Sequence, residues 1–227
     1  MRTPTLFTTG VVLAAFLIPA AAEAAPTAAE ATGISKTKAR KIVNAGVVKK
    51  TDVKGFTAEK YVADPADGGI EKALYKCLGG KAPKEVLSKD GPTLSKGAYT
   101  IDSGATVIAT VKAARADAKL AQSEKAPRCL KRAMTTSVER DGGVVQRIKV
   151  KAIKIAVPGA DVAFGYAYEF IVTHEDIAFL IVGYDLNALV GQTQLNVGPA
   201  RYDGGDPNLK QALALLAKNV KRVRAVR

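Results

Sequence analysis

Between the turn signal Asp141-Gly142-Gly143 and the pair Asp206-Pro207, the chain reads as four strands in a row, at about 146–156, 162–173, 177–185 and 188–197. Their links contain Pro158-Gly159, His174-Glu175-Asp176 and Leu186-Asn187, and each is two to five residues long. A parallel crossover needs about a dozen residues or more, so strands joined this closely must be antiparallel neighbours. The remainder of the chain has to pack around that meander.

The rest alternates helix with strand. Ser35 is placed to cap a helix over 36–45, with Gly46 as its stop. Residues 47–62 read as extended, and Asp64-Pro65 and Asp67-Gly68-Gly69 as turns. Ile70, Ala73, Leu74 and Cys77 have helical spacing, ended by Gly79-Gly80. The Lys-, Gly-, Ser- and Pro-rich stretch 81–103 reads mostly as loop. Thr106–Val111 is β-branched and reads as a strand, followed by a helix over 113–120. Pro127 opens a second helix carrying Cys129, Leu130 and Ala133. Asp206-Pro207 is expected to start the last helix, with Leu209, Leu213, Leu216, Val220 and Val223 on one face. The expectation is one α+β domain over 36–227: a curved antiparallel sheet ending in a meander, packed by helices. The run Ile177–Val182 is apolar at every position. It should therefore be central with helices on both faces, or covered at a dimer contact.

The N-terminus carries an address. Arg2 precedes the apolar run Val11–Ala22, and Ala22-Glu23-Ala24 supplies small residues two apart. A membrane span needs roughly 20 apolar residues, so 1–24 reads as a cleavable signal peptide and 25–35 as a disordered leader. Cleavage removes one base and one acid, Arg2 and Glu23, so the exported product keeps the whole net charge of +13. Cys77 and Cys129 both lie in that product. An even count in an exported chain points to a disulfide, here between two helices. A metal site is the rival. It would need more ligands than one histidine, His174, and a chain without C-x-x-C supply. No metal and no cofactor is expected.

Two constellations invite a functional reading. Phe164, Tyr166, Tyr168 and Phe170 are spaced by two and share one face of a strand. They are either the sheet's core stripe or a stacking platform for a ligand, with the two tyrosine hydroxyls reaching into a cleft. Basic residues cluster on the helices, on one strand face (Arg147, Lys149, Lys151) and near the C-terminus (Lys218, Lys221, Arg222, Arg224). They are a solvated basic surface or a site for an anionic envelope polymer or lipid headgroup; in an exported chain nucleic acid is not the expected partner. His174-Glu175-Asp176, Asp64 with Asp67, and Asp203 with Asp206 sit among turn residues, where turn and cap roles suffice. Walker A, G-x-G-x-x-G, G-x-S-x-G, H-E-x-x-H and EF-hand patterns do not occur in the sequence. No catalytic residue is assigned.

The order of elements resembles small exported proteins of actinobacteria. It is similar to the extracellular sensor-like domains of actinobacterial serine/threonine kinases and the broader PsbP-like α/β group. The resemblance rests on the Ala-rich signal, the helix KTKARKIVNAG, the Cys-bearing helix IEKALYKCLGG, the stretch ATVIATVKAARADAKLAQ, the second Cys helix PRCLKRAM and the terminal LKQALALLAKNVKRVR, over roughly 36–224. It implies binding of a small ligand or partner outside the membrane, in a cleft between helices and a curved sheet. The chain departs from those sensors in lacking a kinase domain and a span after cleavage, and in carrying one Cys pair where they have two. No binding residue is carried over. The expectation is a secreted or envelope-associated, non-enzymatic binding protein.

Overall fold

A computed structural model describes residues 34–61, 67–175 and 177–227. The signal peptide, most of the leader and the Asp64-Pro65 turn lie outside them, as does Asp176. Helix α1 spans Lys36–Gly46, and the Ser35 Oγ accepts a hydrogen bond from the Lys38 N–H at 3.3 Å, the expected cap. The helix ends at Gly46 as expected, and this glycine has a second role. A Cβ there would lie 2.6 Å from the Ala105 Cβ and 2.7 Å from the Leu195 Cδ2, so its missing side chain lets α1 rest on the sheet. After it come a 3₁₀ turn at Lys50–Asp52, strand β1 at Thr57–Glu59 and helix α2 at Asp67–Leu78.

The stretch expected to be loop is sheet. Strands β2 (Glu85–Asp90), β3 (Thr93–Lys96) and β4 (Tyr99–Ile108) replace it. Its polar residues hide the pattern because they are buried and paired. The Ser103 Oγ accepts from the Val48 N–H at 2.9 Å, and the Thr93 hydroxyl donates to Asp102 at 2.6 Å. Long-range pairing with the C-terminal meander, Tyr99 to Arg201 through Val107 to Thr193, holds β4 in place despite its weak alternation. Helices α3 (Val111–Ala121) and α4 (Ala126–Arg140) follow.

The meander is four strands with shifted ends: β5 (Val144–Ile153), β6 (Val162–His174), β7 (Ile177–Val190) and β8 (Thr193–Arg201). Leu186-Asn187 is no turn. Both residues are buried mid-strand, and Asn187 faces Asn196 across the pair. The chain reverses instead at Gly191, whose φ of +61° is cheap only without a Cβ. Helix α5 is Leu209–Val226, capped by Asn208 rather than Asp206: its side-chain oxygen accepts from the Gln211 N–H at 2.9 Å.

All pairings are antiparallel, in the order β1-β3-β4-β8-β7-β6-β5, with β2 also on β4. The fold is α+β. Helices α1 and α5 cover one face over β4, β8 and the second half of β7, around Ile42, Leu195, Leu216 and Val220. Helices α2 and α4 cover the opposite face over β5 and β6, around Leu74, Leu130, Met134 and Phe170, with α3 beside them. The expectation for Ile177–Val182 therefore holds only in part. β7 is interior to the sheet, but helices cover both of its faces only beyond Val182. Ala178 and Leu180, the latter 38% exposed, lie on a face left open to solvent. Among the described residues, no helix is long and apolar enough to cross a membrane.

Candidate functional site

Cys77 on α2 and Cys129 on α4 form the expected disulfide, with Cα atoms 5.6 Å apart. It clamps α2 onto α4 above the inner face of β6 and β7. Between these helices, α3 and the sheet lies a cavity of about 40 Å³. Leu74, Leu78, Ala121, Ala126, Leu130 and Phe164 form its apolar wall. Tyr75, Asp117, Tyr166, Asp185 and Asn187 are its polar residues. A water needs about 10–15 Å³ of such space, so the cavity takes two or three waters or one small head group.

The polar groups are tied into a buried network. The Tyr75 hydroxyl donates to Asp117 Oδ1 at 2.8 Å, and the Gln194 amide donates to Asp117 Oδ2. The Asn196 Nδ2 donates to Asp185 and, at 3.3 Å, to the Asn187 Oδ1. Asn196 is only 4% exposed, yet its Oδ1 has no hydrogen-bond partner. The Tyr166 hydroxyl donates to the Ala121 carbonyl, which fixes that ring against α3. Burial dominates the ionisation of the acids. It pushes the Asp185 carboxyl up to about 6, against the hydrogen bonds from Asn187 and Asn196. It raises Asp117 against donors Gln194 and Tyr75, and raises Glu71, helped by the Asp117 charge. Glu85, buried and near Glu71, is pushed up to about 9. Among the described residues, no group of three or more His, Cys, Asp or Glu could hold a metal ion.

The sequence-derived candidates fall into different places. All four aromatics share the inner face of β6. Phe164 and Tyr166 line the cavity, their rings edge to face at 6.2 Å. Tyr168 and Phe170 are buried in the packing under α4, and the Tyr168 ring occupies the space left open by Gly183 across the strand pair. The C-terminal cations are largely engaged. Lys218 and Arg222 both pair with Asp52, at 2.7 Å and 2.5 Å, and Arg224 pairs with Asp161 at 2.8 Å. Lys221 is exposed. On β5, Arg147 and Lys149 share Glu169, at 2.7 Å and 3.7 Å, while Lys151 continues the row. The residues missed from sequence are Tyr75, Asp117, Asp185, Asn187, Gln194 and Asn196. Their signal was available: Asp185-x-Asn187 and Gln194-x-Asn196 place polar side chains on one face of two apolar strands.

No family model matches the sequence, and no curated protein matches it. Among solved structures, the chain is similar to the extracellular domain of PknH from Mycobacterium tuberculosis. The TM-score is 0.48 and the identity 11%, over 85% of this chain and 97% of that one. At that distance no residue role is carried across.

Proposed function

We propose that this protein is an exported, non-enzymatic binding protein, acting outside the cell or in its envelope, that holds a small ligand in the cleft between the sheet and helices α2, α3 and α4. The observation that carries the reading is the cavity itself: an apolar wall with buried acceptors gathered at one side, the usual build of a small-molecule site. The disulfide holds two of the three covering helices together, and its chemistry suits an oxidising compartment. Native mass spectrometry of protein secreted by its own host tests the reading. A retained mass that disappears in Leu130→Trp, which fills the cavity, is the expected result. The same retained mass in both forms would remove the cleft from consideration.

One further observation favours a second reading. Arg147, Lys149 and Lys151 stand in a row on β5, a sheet edge, on the side where Leu180 is open. That row suits an anionic polymer or lipid headgroup. Binding to anionic vesicles that falls steeply between low and high salt supports it, and salt-independent binding opposes it.

A further inference from the structure

The cleft's polar side is unbalanced, and the imbalance specifies the ligand. Its ionisable acceptors, Asp117 and Asp185, are met only by neutral donors: one phenol and side-chain amides. No Lys, Arg or His is among the lining residues, although the chain carries 34 Lys and Arg. Beside Asp185, to which it donates, buried Asn196 has an Oδ1 with no donor. The network's donors are all neutral, and none of the lining residues brings a positive charge. The walls supply the complementary surface. Phe164, Tyr166 and Tyr75 present three aromatic rings, and both tyrosine hydroxyls are engaged by acceptors of the cavity wall, Asp117 and the Ala121 carbonyl. Aromatic rings beside carboxylates are the recognition chemistry of an ammonium head, through charge-assisted hydrogen bonds and cation–π attraction.

We infer that the cleft selects a small organic ammonium, its N–H groups meeting Asp117 and Asp185 and its first carbons lying against Phe164 and Tyr166. The inference rests on the reading of this cleft as the ligand site. The volume fits one head group, so a longer ligand would leave the rest of its body at the cavity mouth. Desolvation, which raises both carboxyls, is offset when a cation arrives beside them.

The experiment uses the oxidised chain and three probes of equal length: n-butylammonium, 1-butanol and butyrate. NMR titration follows the aromatic resonances of Phe164, Tyr166 and Tyr75. The expected result is saturable shifts with n-butylammonium alone. Asp185→Asn preserves the shape and the acceptor for Asn196, and it should weaken n-butylammonium by about tenfold or more. Should that variant fail to fold, Asp117→Asn serves, because Gln194 can turn its amide over to accept. Equal or tighter binding of 1-butanol or butyrate overturns the ammonium inference and leaves the cleft standing. Shifts with none of the three overturn both. Unchanged n-butylammonium affinity in a folded Asp→Asn variant overturns the assignment of the carboxylates.

Discussion

Replacing Cys77 and Cys129 together by Ala should show how much of the stability rests on the clamp between α2 and α4. The cysteines are 52 residues apart. Chain-entropy bookkeeping for a loop of that length gives about 14 cal/mol/K removed from the unfolded chain, or about 4 kcal/mol at 25 °C. The loss should be unevenly felt. Helix α2 packs mainly on α4, through Leu74 and Leu78, and it covers the cleft rather than the centre of the sheet. Local opening of α2 therefore becomes easier than global unfolding. Urea denaturation of the oxidised wild type and the double Ala variant measures the total, and hydrogen exchange of the amides from Leu74 to Gly80 measures the local part. The expected outcome is a loss of about 3–4 kcal/mol, with faster exchange in α2 while β4 and β8 keep their protection. A loss below about 1 kcal/mol would refute the entropic reasoning, and uniform loss of protection would refute the picture of α2 as a separately opening cover.

Acid should favour this fold over mild base. Burial raises Asp102 and Asp185 to about 6 and Glu85 to about 9, and raises Asp117 and Glu71, while Tyr75 and Tyr166 stay neutral beside them and only Lys72 tempers Glu71. A raised carboxyl contributes most below its unfolded value of about 4 and loses that contribution as pH climbs through the folded one. Melting temperature should fall from pH 5 to pH 9, and a rise over that interval contradicts the assignment. Asp52 acts the other way. Burial opposes its charge, but hydrogen bonds from Arg222 and Lys218 outweigh burial and hold it well below the usual range, so its contribution fades as pH drops below about 4. Asp52→Asn should cost about 1–3 kcal/mol in urea, because a side chain 1% exposed loses its charge beside two cations; a neutral effect would mean the pairs are idle. Gly46→Ala should cost about 1–3 kcal/mol by pushing α1 off Ala105 and Leu195, and an unchanged midpoint would show that α1 moves freely.

Elements with a regular period were legible from sequence. The Ser35 cap, the apolar face of α5 and the helical setting of both cysteines appear where their spacing places them. What escaped was polarity used inside. Asn187 has turn chemistry, yet it sits mid-strand because Asn196 satisfies it there. Ser103 and Asp102 made β4 look like loop, yet each has a specific partner far away in the chain or across a hairpin. The site was half visible for the same reason. The aromatic stripe announced itself by alternation, whereas Asp117 and Tyr75 are brought to it by helix packing that no local window contains. The basic residues of α5 were legible as charge but not as partners of Asp52, a contact between residues about 170 positions apart.

Strand β7 belongs to two cores at once. Its odd positions, Asp185 and Asn187, face the cleft, and its even positions, Leu186 and Ala188, are buried against the side held by α1 and α5. The backbone between them pairs with β6 without a break, while on the β8 edge the register resumes at Leu186 and leaves out Tyr184 and Asp185. Asp185 and Leu186 are neighbours on this strand with side chains on opposite faces, so a shift of one is expected to reach the other. The two helical layers share this one wall, so occupancy on one side should be felt in the packing of the other. A label on α5 would then register what happens beneath the disulfide.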